Sequence, residues 1–398
     1  MKLFQKYDSP STASRLVMAI GDLLLRAVVP VRPVPRLPLQ KKQRHKLILL
    51  RLDGIGDNIC SWPALQLLRE QLPGSTISLA VGPWAAPLYR ECPWVDEVIS
   101  WDSGLFGLFR GKGIRGILTD FRIARQLGTQ KFDIGIDLRG DLLSIILLRL
   151  IAPPIRTGLA MRGGGRLLTD PQHVSEGHES VRTHTVVKTA LDMRTAVASG
   201  VTDWSRPLAR NRALEKLQMT GWEMNRPTAA LCPEALWQWK RWPREHFLEL
   251  ARRLESEAGL QTIWIAENVE HQEDLDGRLI FSGPLDEVAA VLSLCNLAVS
   301  SDSGLLHLAV AAGCATVQLF GPGDADRFAH TGKSLIVHHE RSCGEYPCVQ
   351  RGVCRRSGDG WCMEKIRVTD VFNSCRRLLA ESGERINKTP QQEFEVVE

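Results

Sequence analysis

Two short segments in opposite halves of the chain limit the folds open to it. Arg51-Leu52-Asp53-Gly54-Ile55-Gly56-Asp57 follows the apolar run Leu47 to Leu50, and Ser301-Asp302-Ser303-Gly304-Leu305-Leu306-His307-Leu308-Ala309 follows Leu297-Ala298-Val299. Each reads as a buried strand, a glycine-bearing turn and a helix opening under a polar cap. Such a turn leaves backbone N–H groups and the positive end of a helix dipole at one point, which suits an anion. A chain with one such site in each half can hold a charged ligand between two domains.

The rest of the pattern agrees with two α/β domains. The spacing predicts strands at 46–52, 76–81, 97–100 and 133–138, alternating with helices at 58–72, 117–127 and 142–151. Pro63 is expected in the first turns of the 58–72 helix or at a kink in it. The second half repeats the alternation, with strands at 228–231, 262–266 and 297–300 and a closing strand at 316–320. Its helices begin at Pro243, under an Asp286 cap, and at Leu305. At 398 residues and 44% hydrophobic content, the chain is long enough for two cores. The domains are expected at 46–205 and 206–381, after an N-terminal amphipathic helix and Pro-rich linker over 1–45, with a disordered tail at 382–398. Ala160 to Gly177, rich in Gly and Arg, reads as a mobile loop.

The net charge of +5 is too small to indicate nucleic acid. Between Arg110 and Lys131, however, Arg110, Lys112, Arg115, Arg122, Arg125 and Lys131 are opposed only by Asp120. This is a solvated helix face or a surface for a phosphorylated or membrane-embedded acidic acceptor. No run approaches the ~18 apolar residues of a membrane-spanning helix. Apolar residues at 16, 20, 23, 24 and 27 share one helical face, suited to a membrane surface or to the protein's own body. Scattered Cys60, Cys92, Cys232, Cys295 and Cys314 suit buried thiols in a reduced cytoplasmic protein.

Together with Phe132-Asp133-Ile134-Gly135-Ile136-Asp137-Leu138-Arg139-Gly140, Lys240-Arg241-Trp242-Pro243 and Leu319-Phe320-Gly321-Pro322, the two opening segments resemble glycosyltransferase family 9, the lipopolysaccharide heptosyltransferases. The five stretches occur in the family's order, and the resemblance covers roughly residues 47 to 375. The resemblance implies the GT-B fold, two Rossmann-like parallel-sheet domains facing across a cleft. It implies inverting transfer of heptose from ADP-heptose to a lipopolysaccharide core-type acceptor, at the inner face of the cytoplasmic membrane, with no cofactor required for catalysis. Ala235 and Leu236 depart from the better-known members, where small hydroxyl residues precede the lysine and touch the donor phosphates. The donor's base and sugar are therefore left open by the residues themselves.

Sugar transfer needs a base for the attacking hydroxyl and stabilisation of the departing diphosphate. By spacing alone Asp57 is a helix cap or a base at the turn, and the resemblance selects the base. Asp53 is its rival. Ser303, Gly304 and the N–H groups after them form a phosphate cradle. His307 is a donor to phosphate or sugar, or a structural hydrogen-bonder, and Asp302 a cap or a sugar contact. Lys240 matches the family's phosphate-contacting lysine, and Glu270 aligns with a glutamate on the nucleoside. For the acceptor the candidates are Arg110, Arg115, Arg162 and Arg166. Asp274-Leu275-Asp276 and Asp324-Ala325-Asp326 have the form of a divalent-metal motif. The resemblance instead implies metal-independent transfer, with Lys240 and the helix dipole in place of the ion.

Other classes fit less well. Gly54-Ile55-Gly56 begins a dinucleotide fingerprint, but Ile59 replaces the third glycine and no acidic residue ends the strand near Val81. A nucleotide-sugar epimerase or an idle nucleotide-sugar-binding protein on the same scaffold remain as alternatives. Cys343, Cys348, Cys354 and Cys362 lack the paired C-x₂-C of zinc ribbons, so structural zinc, unliganded thiols and disulfides all stay open.

Overall fold

Leu47, Ile48, Leu49 and Leu50 have no solvent exposure at all, and neither do Leu297, Ala298 and Val299. Strands apolar on both faces require cover on both, the condition of an inner parallel strand. The computed structural model describes residues 16, 19–21, 23, 44–104, 113–174, 177–191, 207–266, 277–338, 348 and 362–386, without the side chains of 113, 114, 207, 208 and 382–386. It divides into two compact units, Met1–Trp204 with Asp326–Phe328, and Ser205–Ala325 with Ala329–Glu398.

The first unit runs β1 (Lys46–Arg51), α1 (Ile55–Cys60), α2 (Trp62–Gln71), β2 (Thr76–Val81), β3 (Glu97–Ser100), α3 (Gly113–Gly128), β4 (Ile134–Asp137), α4 (Leu142–Ile151), β5 (Ile155–Leu159), β6 (Asp170–Gln172) and α5 (Glu179–Ala190). Its sheet is parallel throughout, in the order β3-β2-β1-β4-β5-β6. The core on one face joins Ile48 and Leu50 to Trp101, Ala124, Leu127, Leu147 and Leu148.

The second unit runs α6 (Pro207–Met219), β7 (Thr228–Cys232), α7 (Arg244–Ala258), β8 (Gln261–Ile265), β9 (Leu279–Phe281), α8 (Leu285–Leu294), β10 (Leu297–Ser301), α9 (Gly304–Ala311), β11 (Ala315–Phe320), β12 (Ser334–His338) and α11 (Val368–Ile386), while the short helix α10 (Ala325–Phe328), between β11 and β12 in the chain, belongs from Asp326 to Phe328 to the first unit. Its parallel sheet has the order β12-β11-β10-β7-β8-β9. Trp242, Phe247, Leu250 and Leu254 pack with Val317, Leu319 and Phe372 in its core.

Both orders are the doubly wound 3-2-1-4-5-6 arrangement. The chain leaves the first and fourth strands in opposite directions, which opens a crevice at their carboxyl ends. Those switch points lie between β1 and β4 in one unit and between β7 and β10 in the other. The two opening segments of the sequence follow β1 and β10.

Several expectations need correction. The single helix at 58–72 is two, starting earlier at Ile55 and broken at Ser61, because Pro63 in the first turn of α2 has no N–H to continue α1. The expected mobile loop at 160–177 contains a 3₁₀ turn at Gly165–Leu167 and the edge strand β6, with Ala160, Met161, Leu167 and Leu168 buried. The strand at 316–320 does not close its sheet, since β12 pairs outside it. Asp286 is no cap; Pro284 takes that place, and Asp286 and Glu287 instead bind Arg212, with Lys216 also on Glu287, tying α6 to α8. Helix α11 runs to Ile386, into the stretch assigned to a tail. Residues 16, 19–21 and 23 are helical, and Leu16, Ile20 and Leu23 are exposed on that segment. No helix among the described residues is long and apolar enough to cross a membrane.

Candidate functional site

At the switch point of the first unit, β1 ends on Arg51, a guanidinium only 1% exposed. Its Nε donates to the carbonyl of Asp57 at 3.0 Å, and its Nη2 to Glu179 Oε1 at 2.9 Å. Nη1 donates to the carbonyl of Leu138, just past β4. Two further carboxylates sense the same charge, Asp53 Oδ1 at 3.2 Å and Asp57 Oδ1 at 3.6 Å. Asp57 stands in the first turn of α1, its side chain 30% exposed. It is not the cap: Gly54 holds that position, and a Cβ there would come 3.1 Å from Asp57 Oδ2. Gly54 thus leaves room for the carboxylate to fold back over the turn.

Burial, against the pull of Arg51, pushes the Asp53 carboxyl up to about 7. Burial also opposes charge on Glu179, but Arg51, Arg327 and Arg182 outweigh it and hold that carboxyl down at about 2. From the end of β4, Arg139 pairs with Asp141 and lies in the field of Asp53. Asp137, on β4 itself, accepts from Gly140 N at 2.9 Å and Ser144 Oγ at 3.1 Å. Burial, with Asp141 nearby, pushes its carboxyl up to about 7.

The acceptor candidates are spread. Arg162 pairs by a backbone bridge with Asp141, beside Arg139. Arg166 lies in the 3₁₀ turn, its Nε buried with no hydrogen-bond partner among the described residues. Arg115 stands elsewhere, on the exposed face of α3 with Leu118, Arg122 and Arg125. Asp120 does not oppose them at the surface: it is buried, accepting from Trp101 Nε1 at 2.7 Å and Ser103 Oγ at 3.0 Å. Arg110 and Lys112 lie outside the described residues, as does Glu270.

In the second unit the switch point joins Lys240 to Asp302, Nζ to Oδ2 at 2.5 Å, with both side chains largely buried. Lys240 ends a 3₁₀ turn before α7, and Asp302 follows β10. Helix α9 opens at Gly304 under Ser303, which makes no side-chain capping bond. The first N–H groups of α9 therefore have no side-chain acceptor from their cap, as an anion-binding helix requires. Asp302 is thus neither the cap nor a solvent-facing carboxylate. His307, on α9, is buried, and its Nδ1 lies 2.7 Å from His330 Nε2. Gln318 braces His330 on both sides, accepting from its N–H at 2.9 Å and donating to its carbonyl at 2.8 Å. A His307 contact to a ligand would have to use Nε2.

Comparison with known proteins decides the family. The family model of glycosyltransferase family 9 (heptosyltransferase) matches residues 121–355. The chain belongs to that family. It is a glycosyltransferase. Lipopolysaccharide heptosyltransferase 2 of Salmonella typhimurium is 25% identical over 308 residues, covering 71% of this chain and 84% of the relative. Lipopolysaccharide heptosyltransferase 1 of Pseudomonas aeruginosa is 26% identical over 326 residues, covering 76% and 85%. Among solved structures, a family 9 glycosyltransferase from Veillonella parvula superposes with a TM-score of 0.72 at 20% identity, covering 85% of this chain and 98% of that one. The ADP-heptose lps heptosyltransferase II of E. coli superposes with a TM-score of 0.65 at 20% identity, covering 85% and 99%. The fold class is GT-B, as expected. Family membership favours transfer over the epimerase and the idle binder.

In this family 9 glycosyltransferase the residues that sequence reasoning passed over are Arg51, Glu179, Arg139 and His330. Arg51 carried a signal, a charge ending a strand otherwise buried throughout; the others are brought in from distant elements. Of the cysteine cluster, Cys348 N donates to Pro322 O at 3.1 Å, and a Cβ on Gly321 would stand 3.1 Å from Cys362 Sγ. Both thus reach the Gly321-Pro322 turn after β11, whereas Cys343 and Cys354 lie outside the described residues.

Proposed function

We propose that this glycosyltransferase moves heptose from ADP-heptose to a lipopolysaccharide core-type acceptor with inversion, and that Asp57 is the base. One observation carries the reading: a part-exposed carboxylate stands at the switch point of one sheet, and a lysine beside an uncapped helix N-terminus at that of the other. The relatives, lipopolysaccharide heptosyltransferases and an ADP-heptose heptosyltransferase, supply the sugar, donor and acceptor classes.

In this reading Asp57 takes the proton from the acceptor hydroxyl as its oxygen bonds to the anomeric carbon. The bond from that carbon to the diphosphate oxygen breaks, and its electron pair leaves with the nucleoside diphosphate. Lys240 and the N–H groups after Ser303 and Gly304 stabilise the developing charge, so the residues themselves do what a divalent cation does elsewhere. Asp302 holds Lys240 in place, and His307 is oriented by His330 towards the donor. Arg162 and Arg166, with Glu270 on the nucleoside, complete the ligand contacts. The basic face of α3, including Arg115, draws the enzyme to an anionic membrane surface on the cytoplasmic side.

A panel of nucleotide sugars with a heptose-accepting core, read by product mass and anomeric configuration, tests this. A heptosylated product of inverted configuration is expected from ADP-heptose. Retained configuration, or a modified donor formed without acceptor, would overturn it.

A further inference from the structure

Asp53 is set against the same guanidinium as Asp57, yet takes no hydrogen bond from it. The Nε–H of Arg51 points to the carbonyl of Asp57, so Asp53 Oδ1, 3.2 Å away, is buried with no hydrogen-bond partner among the described residues. Its position is enforced from the backbone. Trp84 Nε1 donates to the Asp53 carbonyl at 2.8 Å, and the Trp84 ring packs where Gly82 has no side chain, 2.2 Å from the place a Cβ would take. Asn58 Nδ2 secures the next carbonyl, that of Gly54, at 2.8 Å. A carboxylate held this firmly without a hydrogen bond acts through its charge.

We propose that Asp53 is a positioning residue that sets the basicity of Asp57 by sharing the charge of Arg51. This rests on Asp57 being the base. A guanidinium beside a lone carboxylate favours its charged form and makes it a poor proton acceptor. Here Arg51 answers to Asp53 and Glu179 as well as to Asp57. The other charges facing this group are Arg139 from the end of β4, and Arg182 and Arg327 on the far oxygen of Glu179. Glu179 therefore answers to three arginines, whereas Asp53 is the carboxylate whose charge is free to change. With Asp53 ionised, Arg51 pulls less on Asp57, which accepts a proton more readily. With Asp53 protonated, Arg51 acts on Asp57 in full and the base weakens. Burial, which pushes the Asp53 carboxyl up to about 7, places this change near neutral pH.

The test is the pH profile of kcat/KM for wild type, Asp53→Asn, Asp53→Glu and Asp57→Asn, each checked for donor binding and for a cooperative melt. The wild-type profile is expected to inflect near neutral pH. Asp53→Asn should lose that inflection and reach a plateau roughly threefold to tenfold lower, with donor affinity unchanged. Asp53→Glu should keep an inflection, shifted, and it decides the matter if Asp53→Asn does not fold. An Asp53→Asn enzyme with the wild-type profile, beside an inactive Asp57→Asn, overturns this inference alone. An active Asp57→Asn overturns the base reading, and with an inactive Asp53→Asn it makes Asp53 the base.

Discussion

Lys240 Nζ and Asp302 Oδ2, 2.5 Å apart with side chains 12% and 6% exposed, form a buried ion pair at the carboxyl ends of β7 and β10. A lysine paired in this way is fixed in position before any ligand arrives, so little side-chain entropy is lost on binding a phosphate. Removing one partner leaves the other as an unpaired buried charge, which costs about 3–5 kcal/mol when burial is complete. Lys240→Met and Asp302→Leu are each expected to lower the melting temperature and to weaken donor binding. The double variant should recover much of the stability but none of the binding, which thermal melts and donor titration distinguish. If each single variant binds donor like wild type, the pair has no part in the cradle.

Asp57→Asn is expected to lower kcat by roughly 10²–10⁴-fold while donor affinity stays within about twofold. Asparagine keeps the size, so the fold of the Gly54 turn survives and only the proton acceptor is lost. Single-turnover kinetics beside equilibrium donor titration gives both quantities. Near-full turnover would return Asp57 to a structural role.

Gly323→Ala tests the Asp302 carboxylate from outside. A Cβ at Gly323 would fall 2.0 Å from Asp302 Oδ2, so the carboxylate must swing away from Lys240. Overpacking of this kind costs about 1–3 kcal/mol, and donor affinity should fall along with stability. Unchanged donor affinity in a folded Gly323→Ala protein would show that the pair's geometry is not needed.

Asp137 predicts a pH dependence of stability. Its folded carboxyl is raised to about 7, chiefly by burial, above the ordinary value of 3.8. A raised folded value means that the folded state binds the proton more tightly than the unfolded state. Its contribution is therefore fully present below the unfolded value and is lost as pH rises towards 7, on the order of 1.4 kcal/mol per pH unit within that window. Asp137→Asn, neutral throughout, should gain on wild type between pH 5 and pH 8 in urea titrations. A constant difference over that range would mean that Asp137 is ionised in the fold.

For the cysteine cluster, zinc is the reading we put to test, since Cys348 and Cys362 both reach the Gly321-Pro322 turn. Protein purified without chelator is expected to carry about one equivalent of zinc on four thiolates. Less than about a tenth of an equivalent, with thiols that titrate freely, removes it.

The local sequence determined most of the elements. Continuous apolar runs predicted β1 and β10 because an inner parallel strand has no polar face, and the alternation of strand and helix patterns predicted the α/β class. Glycine placement marked both switch-point turns, since Gly54 and Gly304 stand where a strand gives way to a helix. Edge strands were harder. Asp170–Gln172 and Leu279–Phe281 are three residues long, too short for a period to show, and they exist because a neighbouring strand offers hydrogen bonds.

The partners in the site were decided by tertiary structure. Arg51 and Glu179 are separated by 128 positions, Lys240 and Asp302 by 62, and His307 and His330 by 23. Nothing local specifies such pairings, because the crossovers of the sheet bring the ends of β1 and β4, and of β7 and β10, side by side. The protonation of Asp53 belongs to the same class. A carboxylate four residues from Asp57 on the chain takes its properties from the burial and the shared guanidinium that only the folded sheet supplies.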